Sequence, residues 1–468
     1  MPMARTNSGR SGELLVELRR DAGVPLHRQV ETAIRDGIRS GRLRIGTALP
    51  PTRTLAADLG VSRGVVVEAY EQLGAEGYLT SRTGGYTQVA IGQDTAPPRA
   101  RPAVAPAPRI DFGYGRADVS SFPRAAWLRS VRRVLTETPD GRFGYLDGRG
   151  VPELHEALAG YLNRVRGTSA TPQDIVITNG FAQGIALLIG LLAKAGAKRV
   201  AVEDPSADDD ARVVAAEAGL EVVGVPVDGD GIRTEVLDRI EADALILTPS
   251  HQWPTGGVLS AESRADVLEW AGRTGALIVE DDYDAEYRYD RAPIGSMQGL
   301  APDRVVYAGT ASKTLAPGLR LGWFVVPRHL VDDLAAAKVL ADRGSPVIDQ
   351  LTFADFLSRG EFDRHLRRMR PVYRRRRDAL LAALRERLPD LRPAGVAAGM
   401  HLVAWLPPEL DEREVVEGAA RRGVGVYGVG PYRLSADGPG GLVFGYATLD
   451  ERRIGEGIEL LAAAIADG

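Results

Sequence analysis

The sequence contains no cysteine. That excludes a disulfide framework, a Cys-ligated zinc and a thiol nucleophile. Lysine is nearly missing too, with only four among 58 basic residues. A net charge of −4 leaves no general basic excess of the kind that coats nucleic acid. No apolar run approaches the roughly 18 residues a membrane span needs. The opening "MPMARTNSGR" lacks the form of a signal peptide. A cytoplasmic protein without a membrane partner is therefore expected. No internal repeat is present.

What the chain does have is length: 468 residues predict two or three domains. One composition break divides it. "GQDTAPPRARPAVAPAPR", from Gly92, is rich in Pro, Ala and Arg without an apolar period, and reads as a linker. The expected organisation is a module at 12–91, a linker at 92–108 and a body at 109–468. Residues 1–91 carry 12 arginines against 9 acidic residues, a sign suited to a nucleic-acid module on an acidic body.

In the body, "DIVIT", "RVAVED", "EVVGVPV", "ALILTP", "ALIVEDD" and "RVVYAG" are short strand-like runs. Helix-like stretches such as "GIALLIGLLAKAG" separate them, so the fold class is α/β with a mostly parallel sheet. Ligands in such sheets bind beyond the carboxyl ends of strands. From about Pro371 onward a smaller α+β subdomain is expected.

In the N-terminal module, "TRTLAADL" predicts a helix stopped by Gly60. Ser62 then caps a second helix whose apolar face is Val66, Tyr70 and Leu73. This is a helix-turn-helix pattern, and "GYLTS" and "YTQVA" around "RTGG" read as a hairpin wing. Arg63, Gly64, Val65, Val67 and Glu68 are left on the outer face, where a recognition helix meets the major groove. The segment resembles the winged helix of GntR-type regulators over its whole length. The resemblance implies double-stranded operator DNA as partner, with Arg53, Ser62, Arg63, Gly64 and Val65 at the reading head and Thr83 and Gly84 at the wing tip. Few basic residues imply weak binding by one copy, and hence paired half-sites read by a dimer.

One of the four lysines stands in "GTASKTLAPGLRLGW". Lys313, with Thr310, Ser312 and Arg320 nearby, suits a phosphorylated carbonyl ligand: the amine forms a Schiff base, and hydroxyls and guanidinium hold the phosphate. A lysine at a surface turn is the plain alternative. "LIVEDDYDAEY" places Asp281 and Tyr283 at a strand end, where a carboxylate can meet a pyridine nitrogen and a phenol its O3′. Carboxylates there also suit a metal, but no further ligand is spaced to complete a site, so no metal is expected.

This order of residues resembles fold type I aminotransferases that use pyridoxal 5′-phosphate. Together with the winged helix, the chain resembles the MocR/GabR regulators from about Pro25 onward. The resemblance extends through "GYLDGRGVPELHEALAGYLNRVRG", "ITNGFAQGI", "TPSHQWPTGG" and "GMHLVAWLP". It implies an aldimine anchor at Lys313, Asp281 at N1 and Tyr283 at O3′. Arg320, Ser312, Thr310 and the backbone N–H groups of Phe181 and Ala182 would hold phosphate, with Tyr145 reaching it from the other subunit of a homodimer.

The departures concern turnover. Ala207 stands where the family places an aromatic over the cofactor ring, a loss of roughly 0.5–1.5 kcal/mol. Phe181 replaces a small or hydroxyl residue, Trp253 an asparagine, and Val443 the arginine that clamps a substrate α-carboxylate. The resemblance thus implies a regulator that senses pyridoxal phosphate, alone or with a small amine or amino acid, in vitamin B6 or amine metabolism. The rivals are an aminotransferase with an appended DNA module, and a regulator whose body no longer binds the cofactor. The arginine-dense run Arg364 to Arg387 reads as a solvated helix face or an auxiliary DNA contact.

Overall fold

The structure, a computed structural model, describes residues 16–81, 86–91, 107–207, 211–289, 294–435 and 438–467. Thr83, Gly84 and most of the Pro-rich segment lie outside them. The chain divides into two compact units, Met1–Ala105 and Pro106–Gly468.

In the first unit, helices span Leu26–Arg39, Thr52–Leu59 and Arg63–Ala75, and strands Leu79–Ser81 and Thr87–Val89 pair antiparallel. Gly60, left-handed at φ 61°, ends the second helix and starts the tight turn. Val30, Ile34, Leu55, Val66, Tyr70 and Leu73 close the core. Arg35 joins buried Glu31 to Glu76, tying the first helix to the end of the third. Ser62 occupies the N-cap position in extended conformation, but its hydroxyl makes no capping hydrogen bond. Val65 is half-buried against the core rather than wholly on the outer face. The 3.6-residue period turns it partly toward the first helix.

The second unit is built on an eight-stranded sheet. Its order is Ile175–Thr178, Gly322–Val325, Val305–Thr310, Leu277–Asp281, Ala244–Leu247, Arg199–Asp204, Glu221–Asp228 and Gly231–Ile232. Five strands from Val305–Thr310 to Glu221–Asp228 run parallel. They are apolar along most of their length because helices cover both faces. The strand Gly322–Val325 was not among the strand-like runs. It inserts antiparallel between Ile175–Thr178 and Val305–Thr310, and its short "GWFV" carries no alternation to betray it.

The C-terminal subdomain has a four-stranded sheet of Arg392–Ala394, His401–Trp405, Gly441–Gly445 and Tyr427–Gly428. Its long helix spans Glu361–Arg387, beginning before Pro371 and running through it. Several arginines of this helix hold the fold together. Arg370 donates to Glu286 O at 2.7 Å, and Arg376 pairs with Asp118 at 3.0 Å. Arg370, Arg376 and Arg377 are thus partly buried in the fold, while the other arginines of the run lie on an exposed face.

Candidate functional site

Where strands Leu277–Asp281 and Val305–Thr310 end, the chain encloses a cavity of about 390 Å³. Lys313, Asp281, Tyr283, Thr310, Ser312, Arg320, Phe181 and Ala182 all line it. Eight positions spread over 140 residues of sequence are thus assembled at the carboxyl edge of the sheet, as parallel strands require.

The turn after Val305–Thr310 shapes the cationic end. Thr310 Oγ1 accepts from Ser312 N–H at 3.1 Å and lies 3.0 Å from Ser312 Oγ, so both hydroxyls face one place. Arg320 holds a left-handed backbone at φ 50°, uncommon for a side chain with a Cβ and a mark of a constrained site. Its Nη2 donates to Asn179 O at 2.6 Å. That carbonyl precedes Gly180, the N-cap of helix Phe181–Lys194. A Cβ on Gly180 would lie 2.8 Å from Arg320 Nη2, so the guanidinium rests in the space the glycine leaves. The first N–H groups of that helix have no partner within it, and with Arg320 they make an anion cradle.

Lys313 is half-buried, and its Nζ donates to Gly115 O at 2.8 Å. Below it, Tyr283 donates to His251 O at 2.8 Å, and His251 Nδ1 lies 3.0 Å from Asp284. His401 packs on His251 with ring centroids 4.8 Å apart. Burial, then the charges of His251 and Lys313, hold its pKa well below the usual imidazole value, so it is neutral. Burial, then Asp284 and Asp281, push Tyr283 well above the usual phenol range. Glu203, also on the cavity wall, is pushed up to about 7 by burial and accepts from Thr248 N–H and Oγ1.

Sequence reasoning missed several of these groups. Tyr114, Glu203, Arg212, Asp284, His401 and Tyr432 line the cavity. Ligand atoms of His251, Asp284 and His401 fall within 4.8 Å of one another, a trio no spacing announced. Their stretches, "HQWPTGG", "LIVEDDYDAEY" and "GMHLV", carried the resemblance, but nothing local to them shows that they converge. Two aromatics also stand on the wall: Tyr114 and Trp253, with ring centroids 4.3 Å apart. Val443 is wholly buried among Trp253, Val403, Val429 and Tyr432. Tyr145 is 93% exposed and lies outside the cavity wall.

In the first unit, Arg53, Ser62, Arg63 and Gly64 are exposed. Arg63 Nε reaches Thr52 Oγ1 at 3.3 Å, bringing the heads of the two helices together. Glu68 lies 3.4 Å from His27, which draws its carboxylate toward the first helix. No described helix is long and apolar enough to cross a membrane.

Residues 26–89 match the family of bacterial regulatory proteins called gntR, and residues 110–459 match aminotransferase class I and II. The chain is 36% identical to the probable rhizopine catabolism regulatory protein MocR of Rhizobium meliloti, covering 96% of each chain. It is 31% identical to the pyridoxine biosynthesis transcriptional regulator PdxR of Corynebacterium glutamicum, covering 90% of this chain and 92% of that one. Among solved structures, Pyrococcus horikoshii kynurenine aminotransferase superposes with TM-score 0.69 at 27% identity, over 76% of this chain and 91% of that one. The α-aminoadipate aminotransferase LysN of Thermus thermophilus, complexed with N-(5′-phosphopyridoxyl)-L-leucine, gives 0.68 at 28%, over 76% and 92%. The chain belongs to the MocR-type transcription regulators, in which a gntR DNA-binding domain is joined to an aminotransferase-like domain of fold type I.

Proposed function

We propose that this regulator binds pyridoxal 5′-phosphate in the Lys313 cavity and that the bound state sets its affinity for operator DNA. The observation that carries the reading is the single cavity shared by Lys313, Asp281 and the Arg320 cradle. The donor set fits the group. Arg320, Ser312, Thr310 and the N–H groups of Phe181 and Ala182 would hold the phosphate. Asp281 would keep the ring nitrogen protonated, and Tyr283 would meet the ring hydroxyl. Pyridoxal phosphate supplies an aldehyde that condenses with amines and a ring that accepts electron density.

The protein's own part is positional. The Gly115 carbonyl holds a proton of Lys313 Nζ and directs the amine along the wall. Neutral His401 adds no charge beside it. Tyr283, its proton donated to His251 O, offers its lone pairs to the cavity. The buried Val443 offers no cation for a substrate carboxylate, which favours sensing over turnover.

The protein acts as a homodimer in this reading, with Tyr145 completing the partner's phosphate site. The exposed apolar side chains Leu128, Leu135, Phe143 and Leu340, at 58, 55, 40 and 81%, are available to a partner in this reading. Arg53, Ser62, Arg63, Gly64 and Val65 face DNA, with the wing tip at Thr83 and Gly84. The domain limits are 12–91 and 109–468, joined by the 92–108 linker. Metabolism of vitamin B6 or of amines is the field of control.

The test is a titration of full-length protein with pyridoxal phosphate, followed by visible absorbance and by fluorescence anisotropy on DNA from its own upstream region. A new band, lost in Lys313→Ala, together with a change in DNA affinity, is expected. DNA affinity that ignores pyridoxal phosphate would sink the sensor reading.

A further inference from the structure

Of the four lysines, Lys194 and Lys198 are exposed and Lys313 stands in the cavity. Lys338 is left to explain, because its side chain is wholly buried in a chain whose cations are nearly all arginine. It lies one turn before Asp342 in the helix Arg328–Asp342, and its Nζ donates to both oxygens of that carboxylate, at 2.7 and 2.6 Å. A compact ammonium suits such a closed space better than a planar guanidinium.

A buried ion pair by itself adds little stability, so its use depends on what else the carboxylate holds. Asp342 Oδ2 also accepts from Asn179 Nδ2 at 2.7 Å and from Gln183 Nε2 at 2.6 Å. Oδ1 accepts from Gly344 N–H at 2.9 Å. Arg343 takes a left-handed backbone at φ 64° and Gly344 follows at φ 109°, which turns the chain back to deliver that N–H. Burial opposes the charge, but hydrogen bonds from Lys338, Gln183 and Gly344 hold the Asp342 carboxyl below the usual carboxylate range.

Both side chains on Oδ2 come from the anion cradle. Asn179 is the residue whose carbonyl receives Arg320 Nη2 at 2.6 Å. Gln183 lies in the first turn of helix Phe181–Lys194, and its Oε1 accepts from Asn179 N–H at 2.8 Å. One carboxylate thus ties the start of that helix to the residue that aims Arg320. Lys338 balances the charge of Asp342, so the cradle has a rigid frame with no net negative field behind the anion. Neither Asp342 nor Lys338 lines the cavity.

We propose that Asp342, paired with Lys338, is a positioning residue of the phosphate cradle. It acts by fixing Asn179, Arg320 and the first N–H groups of helix Phe181–Lys194 before the anion arrives, so that binding has little ordering left to do. The inference rests on the reading that the cavity takes pyridoxal phosphate.

The test compares pyridoxal 5′-phosphate with pyridoxal, which lacks the phosphate, on full-length protein by visible absorbance. In Asp342→Asn the affinity for pyridoxal phosphate falls about tenfold, the worth of one hydrogen bond to a charged group, while that for pyridoxal holds. A purely structural residue would leave this selectivity unmoved. Asn179→Ala keeps the Lys338–Asp342 pair and the carbonyl on Arg320, yet loses selectivity to the same degree. Asp342→Asn added to it costs little more, because both variants cut one link. Competition by inorganic phosphate weakens in the same variants. Asn179→Ala alone carries the test if Asp342→Asn does not fold.

A loss of equal size for both aldehydes would make Asp342 a prop of the fold and overturn the proposal. So would an affinity for pyridoxal phosphate that neither variant changes. If the wild type gives no band with pyridoxal phosphate that Lys313→Ala abolishes, the cofactor reading itself has failed, and the positioning role with it.

Discussion

Lys313 Nζ and the carbonyl of Gly115 meet at 2.8 Å across 198 residues of sequence. A segment just past the linker thus sets the pose of the lysine on which the cavity is centred. Gly115 has φ +68°, and a Cβ there would lie 3.0 Å from Nζ. Gly115→Ala should displace the amine and weaken pyridoxal phosphate binding by about tenfold, with a stability loss of about 1 kcal/mol from the left-handed backbone. Absorbance titration and thermal melting separate the two effects. Unchanged binding would mean that the Gly115 carbonyl does not direct Lys313.

Arg166 and Asp282 form a wholly buried ion pair at 2.6 Å, to which Tyr307 adds a hydroxyl at 2.6 Å. Burial is the largest single influence and acts to lower its pKa, but the charge of Asp282, Tyr307 and the hydrogen bonds to Asp282 together raise it, so Arg166 stays charged. Removing one partner strands the other, so Arg166→Met should cost about 3–5 kcal/mol. Arg166→Met with Asp282→Leu should recover most of it. Urea denaturation of the four members of the cycle measures the coupling.

Glu203 is buried and its pKa is raised from 4.5 to about 7. Between those values the folded state holds a proton that the unfolded state releases, so this group lowers stability as pH rises through the window. Glu203→Gln removes the penalty. The variant and wild type should match near pH 4 and diverge by pH 8, the variant being more stable by up to about 3 kcal/mol. Denaturant midpoints at a series of pH values would show a constant offset instead if the carboxyl ionises freely.

Arg63 stands at the start of the recognition helix, exposed and beside Thr52. Arg63→Ala should weaken operator binding by about 1–3 kcal/mol if it reads a base, and relax preference at one position. If it contacts phosphate, affinity falls alike for all sequences and the salt slope shrinks by about one. Binding isotherms on operator and scrambled DNA at several salt concentrations distinguish them. No change in either would remove Arg63 from the interface.

Much of the fold could be read in advance because its signals are local. The six strand-like runs are all strands, and Gly60 ends the helix Thr52–Leu59 where its backbone freedom suggested. The strand Gly322–Val325 escaped notice, since four residues buried on both faces carry no period. Ser62 showed a cap's identity but not its bond, because the residue type does not fix where a hydroxyl turns. Most arginines of the long helix are exposed, as a solvated face requires, but Arg370 and Arg376 reach acceptors that lie far off in sequence, which no local pattern shows.

By itself the sequence determined the two modules, the α/β class and the placement of Lys313, Asp281 and Arg320 at strand ends, because periodicity and turn chemistry act within a few residues. Only the tertiary structure decided what surrounds them. Gly115 at Lys313, His401 on His251, and Ser206 with Arg212 at Tyr432 are contacts between segments more than 100 residues apart. Such pairings depend on how crossovers and the second sheet close around the cavity, and no local pattern of residues encodes that geometry.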